Sequence, residues 1–115
     1  MGIKYDEYDL LEFFEEEPVK INNYIYCYSK VDAYDIKLEM QIHKMARNCT
    51  ITVSQTKSKR VIVDFITENV DILKCEVTQG HFKDVLKIMR NQEEVLAIIY
   101  SIPRFKVIVD QEGEY

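Results

Sequence analysis

The hydrophobic pattern changes period at Pro18, from the 3.6-residue repeat of a helix to the two-residue repeat of strands. A chain patterned in this way must pack one amphipathic helix on a sheet, because neither element can leave its apolar side in water. Before Pro18, Leu10, Phe13 and Phe14 recur at i, i+3 and i+4, with Leu11 beside them, and form one apolar stripe. Asp6 fits an N-cap and Asp9 follows three residues later, so the spacing predicts a helix over 6–17. Pro18 disfavours a helical conformation at Glu17 and stops the run.

After Pro18 the alternation is clearest at Ile36, Leu38, Met40 and Ile42, interleaved with Lys37, Glu39, Gln41 and His43. One face of that strand is buried and the other is wet. The pattern repeats in Thr50–Ser54, in Val61–Phe65, at Leu73, Cys75 and Val77, and at Phe105, Val107 and Val109. Tyr24–Tyr28 is strand-like with apolar residues on both phases. The run Val95–Tyr100 reads as a central strand. The stretch 82–90 fits either a helix stripe or a strand. Because Ile88 would fall on a helix flank, a hairpin turning at Asn91–Glu94 is the preferred reading. The links are short and polar, which implies antiparallel neighbours. The predicted fold is α+β: an N-terminal helix packed on a strongly curved, mainly antiparallel meander of seven or eight strands, over about 20–110. With 115 residues, 47% of them hydrophobic, the chain has material for a single domain over 1–115.

The net charge of −5 is unevenly placed. Residues 1–20 carry seven acids against two bases, and the rest of the chain balances. A negative surface repels phosphate backbones and attracts basic proteins. Direct nucleic-acid binding is therefore not expected. The compact cluster Lys57, Lys59 and Arg60 reads as a hairpin tip. The bland reading of the acids is a solvated helix face. The functional reading is a docking surface made by Asp6, Glu7, Glu12, Glu15, Glu16 and Glu17. Four acids near the end of the predicted helix oppose its dipole, and a segment that tolerates this could need the charge for another purpose. Tyr24, Tyr26 and Tyr28 share one face of one strand, with Ile25 and Cys27 expected on the core side. Lying under the helix, the tyrosines would be core. Exposed, they would be interface anchors, with Tyr5, Tyr8 and Tyr34 as additions.

Equipment for catalysis is sparse. Three cysteines without a C-x-x-C pair suit a reducing cytosol and not a disulfide framework. Cys27 and Cys75 fall on apparent core phases, which leaves Cys49 as the candidate for exposure. His43 lies on a wet strand phase and His81 beside Gly80 in a turn, and surface histidine is the simpler reading of both. Neither metal-ligand spacing nor a glycine-rich phosphate loop is present. Asp64, between Val63 and Phe65, comes nearest to a desolvated carboxyl, and a half-buried structural role outweighs a catalytic one. Neither a membrane span nor a secretory leader is expected, and the location implied is cytoplasmic. No cofactor or enzymatic activity is expected, and the free chain is expected to be a monomer.

The acidic Leu/Phe run Asp9–Pro18, followed by the Tyr-rich segment Tyr24–Tyr28 and alternating strands to the C-terminus, resembles the layout of small bacterial immunity proteins. These belong to contact-dependent growth inhibition (CdiI-like) and other polymorphic toxin systems. The resemblance covers most of the chain and has no diagnostic motif, so no functional residue is carried over by position. It implies a cytosolic antidote that binds the C-terminal toxin domain delivered by a neighbouring cell, often a nuclease, and blocks its active site. The acids above would mimic phosphate and the tyrosines would anchor the interface. Two rival readings stay open. One is a small-ligand or enzyme site in a cavity with His43 or Asp64 at its base. The other is a structural or self-association module.

Overall fold

The computed structural model describes residues 2–78, 82–101 and 105–109. Asp6 starts the helix as the pattern predicts. Its carboxylate accepts from the backbone N–H groups of Tyr8 (2.8 Å) and Asp9 (3.3 Å), two of the donors a helix N-terminus leaves open. The helix, α1, spans Glu7–Phe14 and ends earlier than the predicted 6–17. Glu15 takes a left-handed conformation (φ 60°), and its N–H bonds to the Leu11 carbonyl at 2.7 Å. Lys30, fifteen residues further along, meets this end. The Lys30 ammonium donates to the Phe13 carbonyl at 3.2 Å and pairs with the Glu15 carboxylate. A cation at the negative end of the helix offsets the acids that crowd it.

Nine strands follow among the described residues. β1 (Val19–Asn22), β2 (Ile25–Val31), β3 (Ile36–His43), β4 (Asn48–Gln55) and β5 (Val61–Thr67) form one sheet in that order. β6 (Ile72–Glu76), β7 (Val85–Arg90), β8 (Glu94–Tyr100) and β9 (Lys106–Val109) form the other. Every pairing between these strands is antiparallel, and Lys4 adds an isolated parallel bridge to Ile72. The α+β class and the meander order agree with the sequence reading, and β7 and β8 form the preferred hairpin, turning through Asn91 and Gln92, both at positive φ. Two sheets stand where the pattern predicts one curved sheet. Residues 68–71 make the break, because their backbone bonds elsewhere instead of extending the ladder. The Val70 N–H donates to the Arg47 carbonyl (2.8 Å), and the Asp71 N–H to the Met89 carbonyl (2.9 Å). β1 shows no clear period because all four of its residues are exposed.

One apolar cluster draws on both sheets and the helix. Leu38, Met40, Ile42, Ile51 and Val53 come from the first sheet, and Leu73, Leu86, Ile88 and Ile99 from the second. Leu10, Phe13 and Phe14 join them, and α1 touches β2 and β6, one strand of each sheet. The Phe14 ring packs on Phe13 edge-on (centroids 5.0 Å apart) and on Tyr28 with a 30° tilt (5.2 Å).

That packing puts Tyr28 under the helix, one of the two readings of the Tyr row, and turns Ile25 and Cys27 away from the core side expected for them. Tyr28 is 3% exposed and belongs to the core, and Tyr26 packs against it half-buried. Cys27 lies on the opposite face, where its thiol donates to Glu39 Oε2 at 3.1 Å. Ile25, two residues away, shares that outer phase. Apolar side chains on both phases left the sequence ambiguous here, and the Phe14 ring decides it. Cys49 is fully buried, because its inner-phase position beside Ile42 puts it under both sheets.

A polar clasp ties the sheets at the end marked by Asp71. Its carboxylate takes the Asn91 backbone N–H at 2.7 Å and pairs with the Arg47 guanidinium, which comes from the β3–β4 turn. The Asn91 hydrogen bond, then Arg47, holds the Asp71 carboxyl below its ordinary value.

Two outcomes are expected. Phe14→Ala should cost about 3–5 kcal/mol in denaturant unfolding, since it empties the joint between helix and β2. Asp71 is depressed in the folded state, so its contribution is complete above the ordinary carboxylate range and disappears as pH falls through the lowered value. Asp71→Asn should therefore lower stability near neutrality and flatten its decline below about pH 4, as read by thermal melts against pH.

Candidate functional site

The acids of the N-terminal segment separate into two groups. Asp6 caps the helix. Asp9 pairs with Lys83 at 3.8 Å, and Glu12 Oε2 accepts the Lys83 backbone N–H at 2.7 Å. Glu15 is held by Lys30. Asp6 closes the helix's own N-terminus, and Asp9, Glu12 and Glu15 fasten the helix to the rest of the chain. Glu7, Glu16 and Glu17 are exposed and make no ion pair with any described residue. They are the acids left to act outward.

A groove of about 600 Å³ runs beside the first turns of α1. Asp6, Glu7 and Glu17 supply its carboxylates, and Tyr5, Tyr8 and Tyr28 its rings, with Leu11 and Pro18 completing the lining. The short helix explains the assembly. By ending at Phe14 and turning back at Glu15, the chain brings Glu17 and Pro18 alongside residues 5–8. Burial first, then Glu7, pushes the Tyr5 hydroxyl up to about 12. Burial, then Tyr5, Glu7, Glu17 and Tyr26, likewise raises Tyr28. Both phenols stay protonated at neutral pH, and the negative charge in the groove belongs to its carboxylates. Lys44 places its ammonium 5.4 Å from the centroids of both Tyr5 and Tyr26. That distance is typical of a cation attracted to an aromatic face.

Of the residues singled out from sequence, the groove unites Asp6, Glu7, Glu17 and Tyr28. It omits Glu12 and Glu15, which face their lysines, and Glu16. Tyr26 sits beside it under Lys44. Tyr24 is 56% exposed in the β1–β2 turn and lines a separate hollow with Asn23 and Met45. Tyr5 and Tyr8 matter more than their place as additions to the Tyr row suggests. They flank the N-cap, and only the folded helix reveals what they face.

Other candidates are engaged or chemically quiet. Burial pushes Cys27, Cys49 and Cys75 all up to about 12, with the Glu39 hydrogen bond adding to the rise at Cys27. All three are neutral thiols at physiological pH, which makes them poor nucleophiles. Asp64 is exposed and accepts from the Thr52 hydroxyl at 3.1 Å. His43 shares that outer face of the first sheet, and His81 lies outside the described residues. Lys57 sits in the β4–β5 turn and pairs with Asp35 at 3.8 Å. A separate hollow of about 560 Å³ includes Lys4, Arg47, Asp71 and Gln92, but its Arg47–Asp71 pair already serves the clasp. Asp84, passed over in the sequence, is a buried acid that takes the Thr78 N–H at 2.8 Å and both contacts of its hydroxyl at 3.1 Å. Among the described residues, no group of three or more His, Cys, Asp or Glu is placed to hold a metal ion. No helix among them is long and apolar enough to cross a membrane.

Neither a family model nor a curated protein matches the chain. Its fold is similar to that of one chain in the solved contact-dependent growth inhibition toxin–immunity protein complex from Klebsiella pneumoniae 342. The superposition has a TM-score of 0.74 at 18% identity and covers 96% of this chain and 98% of the other. A likeness of that extent, at that identity, establishes a shared fold.

Proposed function

We propose that the chain is the immunity partner of a toxin–immunity pair and acts by binding, without catalysing a reaction. The observation that carries this reading is the shared fold with a chain from such a complex, over nearly the full length of both. Charge argues for the antidote's part and not the toxin's. The chain is acidic, and Glu7, Glu16 and Glu17 stand exposed without ion-pair partners among the described residues. A negative face lowers affinity for phosphate backbones and raises the association rate of a basic protein. A nuclease toxin must hold a polyanion, so its active-site surface is the natural counterpart. On this reading the chain works in the cytoplasm as a single-domain monomer, covers the toxin's active site and presents carboxylates where phosphates would lie.

Two measurements test the proposal. Co-expression should relieve growth arrest caused by the toxin domain encoded beside this chain's gene, and failure to protect would reject the antidote role. In stopped-flow association, Glu7→Gln, Glu16→Gln and Glu17→Gln together should slow binding by about tenfold or more at low salt and flatten its salt dependence. These three are the informative acids, because Glu12 and Glu15 also hold the helix and their replacement would mix folding with binding. An unchanged rate and salt slope would remove electrostatic steering from the account.

A further inference from the structure

Tyr28 is almost wholly buried yet forms part of the groove wall. Its ring is fixed by Phe14, while its hydroxyl has no hydrogen-bond partner among the described residues. Among the described residues the Tyr28 oxygen is not one of the buried polar atoms left without a partner, so it is the solvent-reaching edge of an otherwise buried ring. The groups that act on it electrostatically include Tyr5, Glu7 and Glu17, and all three line the groove. With Tyr28 in the groove lining and its ring held on the inner side by Phe14, the hydroxyl borders that space, where a donor from outside can reach it.

What could arrive is restricted by the walls. Glu7 and Glu17 are carboxylates without a cation among the described residues. They exclude an anion and leave an apolar group with desolvated charge around it. Tyr5 and Tyr8 offer ring faces, and Tyr8 is 81% exposed. The chain already brings one cation to this aromatic cluster, the Lys44 ammonium over Tyr5 and Tyr26. Rings, two free carboxylates and a phenol oxygen in one groove make a set of acceptors for a planar, multiply donating cation. A guanidinium has five N–H donors in a rigid fork and stacks on aromatic faces, whereas an ammonium is a compact point charge.

We infer that the groove between α1 and Pro18 is a receptor for an arginine side chain of the protein partner. The guanidinium stacks on Tyr5 or Tyr8. It donates to the Glu7 and Glu17 carboxylates and to the Tyr28 hydroxyl oxygen. The inference deepens the antidote reading and rests on it for the identity of the partner, but the receptor itself can be tested alone.

The test uses the isotope-labelled full chain and three small probes: N-acetyl-arginine-methylamide, its lysine counterpart and its glutamate counterpart. Backbone amide shifts in NMR titrations should move for residues 5–8, 11, 17 and 28, with arginine binding in the millimolar range, more tightly than lysine, and glutamate not binding. Tyr28→Phe keeps the ring and removes the oxygen, and it should weaken the arginine probe several-fold while leaving the shift pattern of the core intact. Glu7→Gln with Glu17→Gln should abolish the effect. If arginine moves these amides no more than glutamate does, or moves them equally in the variants, the receptor is refuted. With the whole toxin, Tyr28→Phe should raise Kd by about tenfold. Undiminished toxin affinity in both variants would refute the groove and leave the antidote reading standing. Arginine capture by a chain that fails to protect against any toxin would do the reverse.

Discussion

The contact of Phe14 with Tyr28 governs much of what this chain presents to its surroundings. An eight-residue helix is not stable in water by itself, because nucleation costs more than so few hydrogen bonds return. α1 persists because Leu10, Phe13 and Phe14 bury themselves against both sheets. In doing so Phe14 takes hold of Tyr28, sets the phase of β2 and turns Cys27 out towards Glu39. The same contact positions the phenol of Tyr28 in the groove wall. Core packing and candidate site are thus one arrangement seen from two sides.

Electrostatics then assigns work to the acids. Seven carboxylates in twenty residues would repel one another and the helix C-terminus if all were left alone. Lys30 and Lys83 each resolve part of this, one beneath the end of the helix and one along its flank. Each lysine is committed to fastening α1 and cannot also neutralise Glu7, Glu16 or Glu17. The remaining negative charge is therefore concentrated on residues that play no part in holding the helix, and it can meet a partner without loosening the fold.

Much of the fold was readable because strands with one wet face declare themselves. Ile36–His43 and Asn48–Gln55 alternate cleanly and lie where the pattern puts them. The misreadings share a cause, a decision made by a residue distant in sequence. Tyr24–Tyr28 is apolar on both phases, and a phenylalanine fourteen positions earlier in the chain decides which one turns inward. Pro18 correctly signals that the helix cannot continue, but the left-handed turn at Glu15, where Lys30 meets the chain, closes it at Phe14. The break into two sheets depends on hydrogen bonds from Val70 and Asp71 to Arg47 and Met89, which no local pattern announces. The candidate site was legible in its ingredients, acids and tyrosines near the N-terminus. Its grouping was not, because Tyr5 and Glu17 meet only after the helix has turned the chain back.

A surface of this kind suits tight association for a reason that contact area alone does not supply. Binding must overcome the freedom lost when side chains and loops are ordered, and sites already ordered lose less. Tyr28 is held by the core before any partner arrives, Glu7 belongs to the first helical turn, and Glu17 is followed by Pro18, whose backbone φ is restricted. The carboxylates are long-reaching enough to steer a basic partner, while the phenol can discriminate only at contact. On the proposed reading, Glu16, which lies outside the groove, acts mainly on the rate of encounter, whereas Glu7, Glu17 and Tyr28, which contact the guanidinium, act also on the rate of departure.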